Sequence, residues 1–137
     1  MLIHITEIRV RYADTDKMQF VYNGKYLEYF EVGRTELLRA TGLSYSEVER
    51  KGYQLPLIEA GLKYYLPAVY DDVLEIHASV KELHSPKVHI EYVVKRKDTN
   101  ELIAEGFTTH IFIRSDTKKA VRPPKEYVTA LEPFFKK

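Results

Sequence analysis

Near the start of the chain Ile8, Val10 and Tyr12 fall on one side and Arg9 and Arg11 on the other. That two-residue period predicts a half-buried strand over residues 2–12. A polar, turn-like stretch follows, Ala13-Asp14-Thr15-Asp16-Lys17-Met18-Gln19. Between Asn23 and Thr41 the period lengthens. Tyr26, Phe30, Gly33, Leu37 and Ala40 recur at steps of four, three, four and three, with Glu28, Glu31, Arg34 and Glu36 mostly off that stripe. The pattern predicts one long amphipathic helix whose apolar face lies on something flat. Gly33 sits on the stripe, and because glycine costs about 1 kcal/mol inside a helix, it is expected to permit close backbone approach. Asn23 is the expected N-cap and Gly42 the stop. Ser44-Tyr45-Ser46-Glu47 reads as a capping box opening a short second helix that ends near Gly52.

Beyond Gly52 the pattern is that of β-structure. Residues 53–67 read as one broken extended segment. In residues 72–84, Leu74, Ile76, Ala78 and Val80 share one face, with Glu75, His77, Ser79 and Lys81 opposite. In residues 87–97, Val88, Ile90, Tyr92 and Val94 share a face, and the turn Asp98-Thr99-Asn100 joins this strand to a last long one over 101–114. Pro123-Pro124 closes the sheet region, and 125–135 is expected to form a short terminal helix. Strands joined by turns imply a mainly antiparallel sheet, and that sheet is the large surface on which the long helix can bury its stripe. The predicted fold is α+β: a curled antiparallel sheet of about five strands wrapped around one long central helix, the hot-dog architecture. No repeat or linker divides residues 1–137, so a single domain is expected.

Composition narrows the function. Twenty-one basic and twenty acidic residues leave a net charge of +1, without the basic excess of a nucleic-acid binder. The absence of cysteine excludes a disulfide framework, a thiolate metal site and a cysteine nucleophile. The segment Met1 to Glu7 has no basic region followed by a long apolar run, so no signal peptide is expected; nor is a membrane span, and the expected compartment is cytoplasmic. Eleven tyrosines and six phenylalanines with no tryptophan suit half-buried pockets and interfaces as well as an ordinary core.

Two carboxylates, Asp14 and Asp16, lie in the loop before the long helix. Loop carboxylates commonly form turns or caps. Beside a helix N-terminus, whose free N–H groups can hold a developing oxyanion, a carboxylate is also enough for acyl transfer. The histidines, His4, His77, His84, His89 and His110, are scattered singly and no metal site is expected. Lys95-Arg96-Lys97 reads as a solvated strand end. The denser run Arg114, Lys118, Lys119, Arg122 and Lys125 is a secondary candidate for phosphate contact. Glu31 and Arg34, one helical turn apart, are expected to form an ion pair. There is no GxSxG elbow, P-loop or GxGxxG.

Tyr12-Ala13-Asp14-Thr15-Asp16, Val21-Tyr22, Tyr26-Leu27-Glu28-Tyr29-Phe30-Glu31 and Arg34-Thr35-Glu36 together resemble the 4-hydroxybenzoyl-CoA thioesterase family of hot-dog proteins. Leu55-Pro56-Leu57-Ile58, Tyr64, Pro67-Ala68 and Tyr70-Asp71-Asp72-Val73-Leu74 are similar to that family's second signature, and the likeness spans nearly the whole chain in order and spacing. The resemblance implies hydrolysis of an acyl-CoA thioester to a free acid and coenzyme A, without a cofactor. It implies Asp16 as the catalytic carboxylate, Asp14 as a loop-fixing one, and the Asn23 backbone N–H as the group that polarises the thioester carbonyl. Tyr22 falls with the substrate-binding positions. Ser85, Pro86, Lys87 and Val88 correspond to the turn along which coenzyme A runs. A homo-oligomer, a dimer or a dimer of dimers, is implied, with Glu59 and Tyr64 of segment 56–65 facing Asp16 of the other chain.

Two positions depart from the family pattern: Gln19 stands where glycine is common, and Asn23 where some members carry histidine. They keep two alternatives in view, a non-catalytic acyl-thioester binding module and a hot-dog hydratase or dehydratase. The latter typically needs a histidine beside its carboxylate, and residues 12–36 contain none. A single-strand nucleic-acid binder, the third alternative, is opposed by the near-neutral charge and the long helix.

Overall fold

The four-three spacing of Tyr26, Phe30, Gly33 and Leu37 becomes the buried face of α1 (Lys25–Ala40), joined there by Tyr29 and Leu38. The computed structural model describes residues 1–135. In chain order it contains β1 (Leu2–Arg9), α1, α2 (Tyr45–Arg50), β2 (Tyr53–Gln54), β3 (Leu57–Tyr64), β4 (Val73–Val80), β5 (Lys87–Arg96), β6 (Leu102–Arg114), β7 (Ala120–Val121) and α3 (Lys125–Leu131). The main sheet runs β1-β4-β5-β6, and β6 is long enough to pair also with β2, β3 and β7. Every pairing is antiparallel.

The sheet curls around α1. Leu74, Ile76, Ala78 and Val80 of β4 and Val88, Ile90, Tyr92 and Val94 of β5 all face inward and are almost fully buried. A Cβ added to Gly33 would lie 2.8 Å from Ile76 Cγ2, so any side chain there would force Ile76 or the helix to shift. Phe30 stacks on Tyr92 with ring centroids 4.2 Å apart. Among the described residues no helix is long and apolar enough to cross a membrane.

The structure corrects several expectations. The first strand stops at Arg9. Val10 still points inward, but its backbone exchanges hydrogen bonds with Asp71 and Asp72, and Tyr12 turns out to solvent in a 3-10 turn over Tyr12–Asp14. The helix cap is Gly24 rather than Asn23, and Ala40 is exposed. The broken segment 53–67 splits into β2 and β3, and β7 is added, which raises about five strands to seven. Arg96 is no solvated strand end: it pairs with Asp72 and Glu101 and donates to the Pro67 carbonyl at 3.1 Å, fastening the connection between β3 and β4. Ser44 caps α2 through the Glu47 N–H at 3.3 Å, one half of the expected box. The terminal helix ends at Leu131 and continues as a 3-10 turn over Glu132–Phe134.

Candidate active site

The loop between β1 and α1 is built on two aspartates with opposite surroundings. Asp14 is buried, only 2 % exposed. Its carboxylate accepts from the Arg11 N–H at 3.0 Å, the Arg11 guanidinium at 3.2 Å and the Tyr29 hydroxyl at 2.9 Å, with Lys25 Nζ 3.7 Å away. Burial pushes this carboxyl up, but the Arg11 N–H, the Tyr29 hydroxyl and the Arg11 charge outweigh it and hold it below the ordinary carboxylate range. The Tyr29 phenol is pushed well up by burial and by the same Asp14 contact. A carboxylate so enclosed is a clasp between loop and helix.

Asp16 is only half-buried and heads a tight hairpin. Its N–H donates to the Phe20 carbonyl at 2.9 Å and its carbonyl accepts from the Gln19 N–H at 2.8 Å. Gln19 adopts φ 70°, the left-handed conformation that glycine takes without strain; this matches a three-residue hairpin closed by a bulge residue. Gln19 thus stands, where the resemblance led glycine to be expected, in a backbone conformation that suits glycine. Asp16 Oδ1 accepts from the Met18 N–H at 2.9 Å. Among the described residues nothing else bonds to its carboxylate.

The hairpin is anchored where Val21 donates to the Ala68 carbonyl at 2.9 Å and Tyr22 to the Asp14 carbonyl at 2.9 Å. The chain then turns through Asn23 and Gly24 into α1. The first backbone bonds of the helix start are donated by Lys25, Tyr26 and Leu27 to Tyr22, Asn23 and Gly24. The N–H groups of Asn23 and Gly24 have no acceptor among the described residues, as expected of the first positions of a helix. Tyr64 of β3 donates its hydroxyl to the Asn23 carbonyl at 3.1 Å, and its ring packs edge-on against Tyr26 at 5.5 Å. Burial pushes the Tyr26 phenol up to about 12. Tyr22 is exposed beside the same helix start.

Tyr22, Asn23 and Tyr64 are thus brought to the start of α1 within a single chain, and Asp16 lies on the hairpin that leads into it. Tyr64, which the resemblance implied would face the other chain, reaches the helix start of its own. Glu59, Ser85 and Lys87 meet elsewhere, in a groove on the outer face of the sheet that also includes His89 and Glu91. The Lys87 N–H donates to Ser85 Oγ at 3.2 Å, and Pro86 is exposed between them. Val88 departs from this group: its side chain turns into the core. Among the basic run, Arg114 pairs with Asp116 and lies over the Tyr53 ring, Lys118 bonds Gln54 and Arg122 donates to the His84 carbonyl.

The left-handed Gln19 and the Tyr64–Asn23 contact escaped sequence reasoning. The first is a conformation glutamine rarely adopts. The second joins residues 41 positions apart, which no local pattern connects.

The thioesterase-like superfamily profile matches residues 10–131. The long-chain acyl-CoA thioesterase FadM of Escherichia coli is 26% identical over 131 residues, covering 96% of this chain and 98% of that protein. The acyl-CoA thioester hydrolase YbgC of Escherichia coli O157:H7 is 30% identical over 93 residues, 67% of this chain and 69% of that protein. The crystal structure of DHNA-CoA thioesterase from Staphylococcus aureus superposes with a TM-score of 0.90 at 30% identity, covering 98% of this chain and 91% of that one. With the curled sheet, the central helix and this match over most of its length, the chain belongs to the thioesterase-like superfamily of hot-dog-fold thioester hydrolases.

Proposed function

We propose that the chain hydrolyses an acyl-CoA thioester to the free acid and coenzyme A at the Asp16 hairpin. The observation that carries this reading is the half-buried Asp16 carboxylate, which among the described residues accepts from the Met18 N–H alone, on the hairpin leading into a helix start whose Asn23 and Gly24 N–H groups have no acceptor there. The thioester carbonyl oxygen would lie against those N–H groups, which would stabilise the oxyanion as it forms. Asp16 would either take a proton from the attacking water or attack the carbonyl carbon itself to form an anhydride that water then opens. In both routes the tetrahedral carbon collapses by expelling the coenzyme A thiolate. In a single turnover in ¹⁸O-labelled water, label appearing in the Asp16 carboxylate marks attack by Asp16, because only an anhydride opened at the Asp16 carbonyl places it there.

Asp16→Asn tests the assignment. The amide is nearly isosteric but is a poor base and a poor nucleophile. Turnover of a panel of acyl-CoA thioesters, followed by thiol release, should fall by more than tenfold, about 1.4 kcal/mol of barrier, with secondary structure unchanged. A variant retaining more than a tenth of the activity would remove Asp16 from the chemistry. If the unmodified chain binds coenzyme A but turns over no member of the panel, it is a binding module.

We further propose that the site is completed by a second copy. β3 pairs with β6 along one edge and exposes Leu57 and Ile58, while Met18, Phe20 and Tyr22 lie exposed around the Asp16 hairpin and helix start. Apolar exposure of this kind marks an interaction surface. A partner docked there would bring its groove with Glu59, Ser85 and Lys87 toward Asp16. Light scattering at micromolar concentration should give a dimer or larger; a fully active 16.1 kDa particle would refute the shared site.

A further inference from the structure

The carbonyl of Asn23 and the N–H of Gly24 belong to one planar peptide and point in opposite directions. Whatever holds the carbonyl therefore aims the N–H, which has no acceptor among the described residues. Two donors reach this carbonyl. The Tyr26 N–H lies 3.4 Å away, and the Tyr64 hydroxyl is nearer, at 3.1 Å. The preceding peptide is fixed locally, its Tyr22 carbonyl accepting from the Lys25 N–H at 2.9 Å.

The Asn23–Gly24 peptide has particular need of a second hold. Gly24 sits at φ −68°, ψ −18°, but with no Cβ it meets little steric resistance to leaving that conformation. The peptide can then turn its N–H away at low cost, and a 3.4 Å local bond does little to prevent it. Tyr64 reaches the carbonyl from a different element. It ends β3, paired with Ala104 of β6, and the next residue, Tyr65, donates its N–H to the Ile103 carbonyl at 2.9 Å. Its ring lies edge-on to that of the buried Tyr26. The hydroxyl is thus aimed by the sheet rather than by the loop it touches. A hydrogen bond to the carbonyl also polarises the peptide and makes the N–H at its other end a stronger donor.

We propose that Tyr64 is a positioning residue for acyl-CoA hydrolysis: through the Asn23 carbonyl, its hydroxyl holds and polarises the Gly24 N–H that receives the oxyanion. Tyr64 acts through the peptide and does not touch the reacting atoms. The proposal rests on the hydrolytic reading above. The Asn23 N–H belongs to the preceding peptide, so it still serves when the Tyr64 hydroxyl is lost, and the expected loss is partial.

Tyr64→Phe tests it. The ring stays against Tyr26 and the hydroxyl alone is removed. The position is 46% exposed, so the fold should be kept, with thermal midpoints as the check. Single-turnover thiol release from an acyl-CoA at saturation should slow about three- to tenfold, the range of one neutral hydrogen bond. Half-saturation should not change, because the interaction is made in the transition state. A second readout needs no turnover. A ketone analogue of the acyl-CoA, with CH₂ in place of sulfur, presents the carbonyl without a scissile bond. Its ¹³C-labelled carbonyl infrared band should lie at higher wavenumber in the variant than in the parent, because a weaker donor polarises the bond less. Fluorotyrosine at position 64, a stronger donor of similar size, should move the band the other way and serves even if phenylalanine costs stability. A structural tyrosine would change the thermal midpoint and leave the band in place. An unchanged rate, a change in half-saturation alone, or a band unmoved in both variants overturns the proposal. If Asp16→Asn abolishes turnover while Tyr64→Phe leaves it intact, hydrolysis at Asp16 stands and the Tyr64 role falls. A parent chain that turns over no acyl-CoA overturns both.

Discussion

The Asp14 carboxylate and the Tyr29 hydroxyl meet at 2.9 Å across fifteen residues of sequence, binding the loop that carries Asp16 to the buried face of α1. The folded Asp14 carboxyl lies below its ordinary value of 3.8. The unfolded chain therefore takes up this proton at a higher pH than the folded chain does. The stabilisation is complete above the ordinary value and is lost as pH falls through the folded one. Asp14→Asn should lower stability at neutral pH by about 1–3 kcal/mol, the cost of disturbing buried bonds to a charged group, and should flatten the acid side of the stability curve. Denaturant unfolding at pH 7 and pH 3 checks this. Curves equally steep in pH for both proteins would remove Asp14 as the clasp, and a larger loss of turnover than in Asp16→Asn would exchange the two roles.

Gln19 should be a point of stored strain. A non-glycine residue in the left-handed region costs about 1–2 kcal/mol, while glycine loses roughly 0.5–1 kcal/mol to chain entropy. Gln19→Gly is thus expected to stabilise by up to about 1 kcal/mol. Gln19→Val, branched at Cβ, should destabilise by a similar amount or more. Calorimetric midpoints test the pair; a valine variant as stable as the parent would mean the hairpin relaxes to another turn.

The long helix and its contact surface were legible in the sequence because a 3.6-residue period and a two-residue period are local properties of backbone geometry. Gly33 could be read as a close approach for the same reason. Val88 is more instructive. Its alternation with Ile90, Tyr92 and Val94 already placed it on an inward face, whereas family correspondence placed it along coenzyme A; the side chain follows the alternation. Tyr12 misled because Val10 continues the inward pattern after pairing to β4 has ended. Arg96 looked like one cation among three, and only the folding of the 67–72 segment onto β5 turns it into a fastener. The Tyr64–Asn23 contact depends on the register of β3 against β6, which no single segment encodes.

Lys87 gives the last prediction. It lies on the outer groove, exposed, beside Ser85. Its neighbour Lys81 is engaged by Glu91 at 2.9 Å, whereas Lys87 forms no ion pair among the described residues. A free cation at this position suits the phosphates of coenzyme A if a second copy brings the groove to Asp16. Being exposed, such a contact should contribute about 1 kcal/mol or less, and it should fade with salt, since charges are screened over about 10 Å at ordinary ionic strength. Lys87→Ala should raise KM for an acyl-CoA a few-fold, leave kcat nearly unchanged, and have little effect on a short thioester lacking the nucleotide. The gap between variant and parent should also close as salt rises, because added ions weaken in the parent the same attraction that the variant lacks. Equal KM values and equal salt slopes in the two proteins would make Lys87 a solvated strand residue.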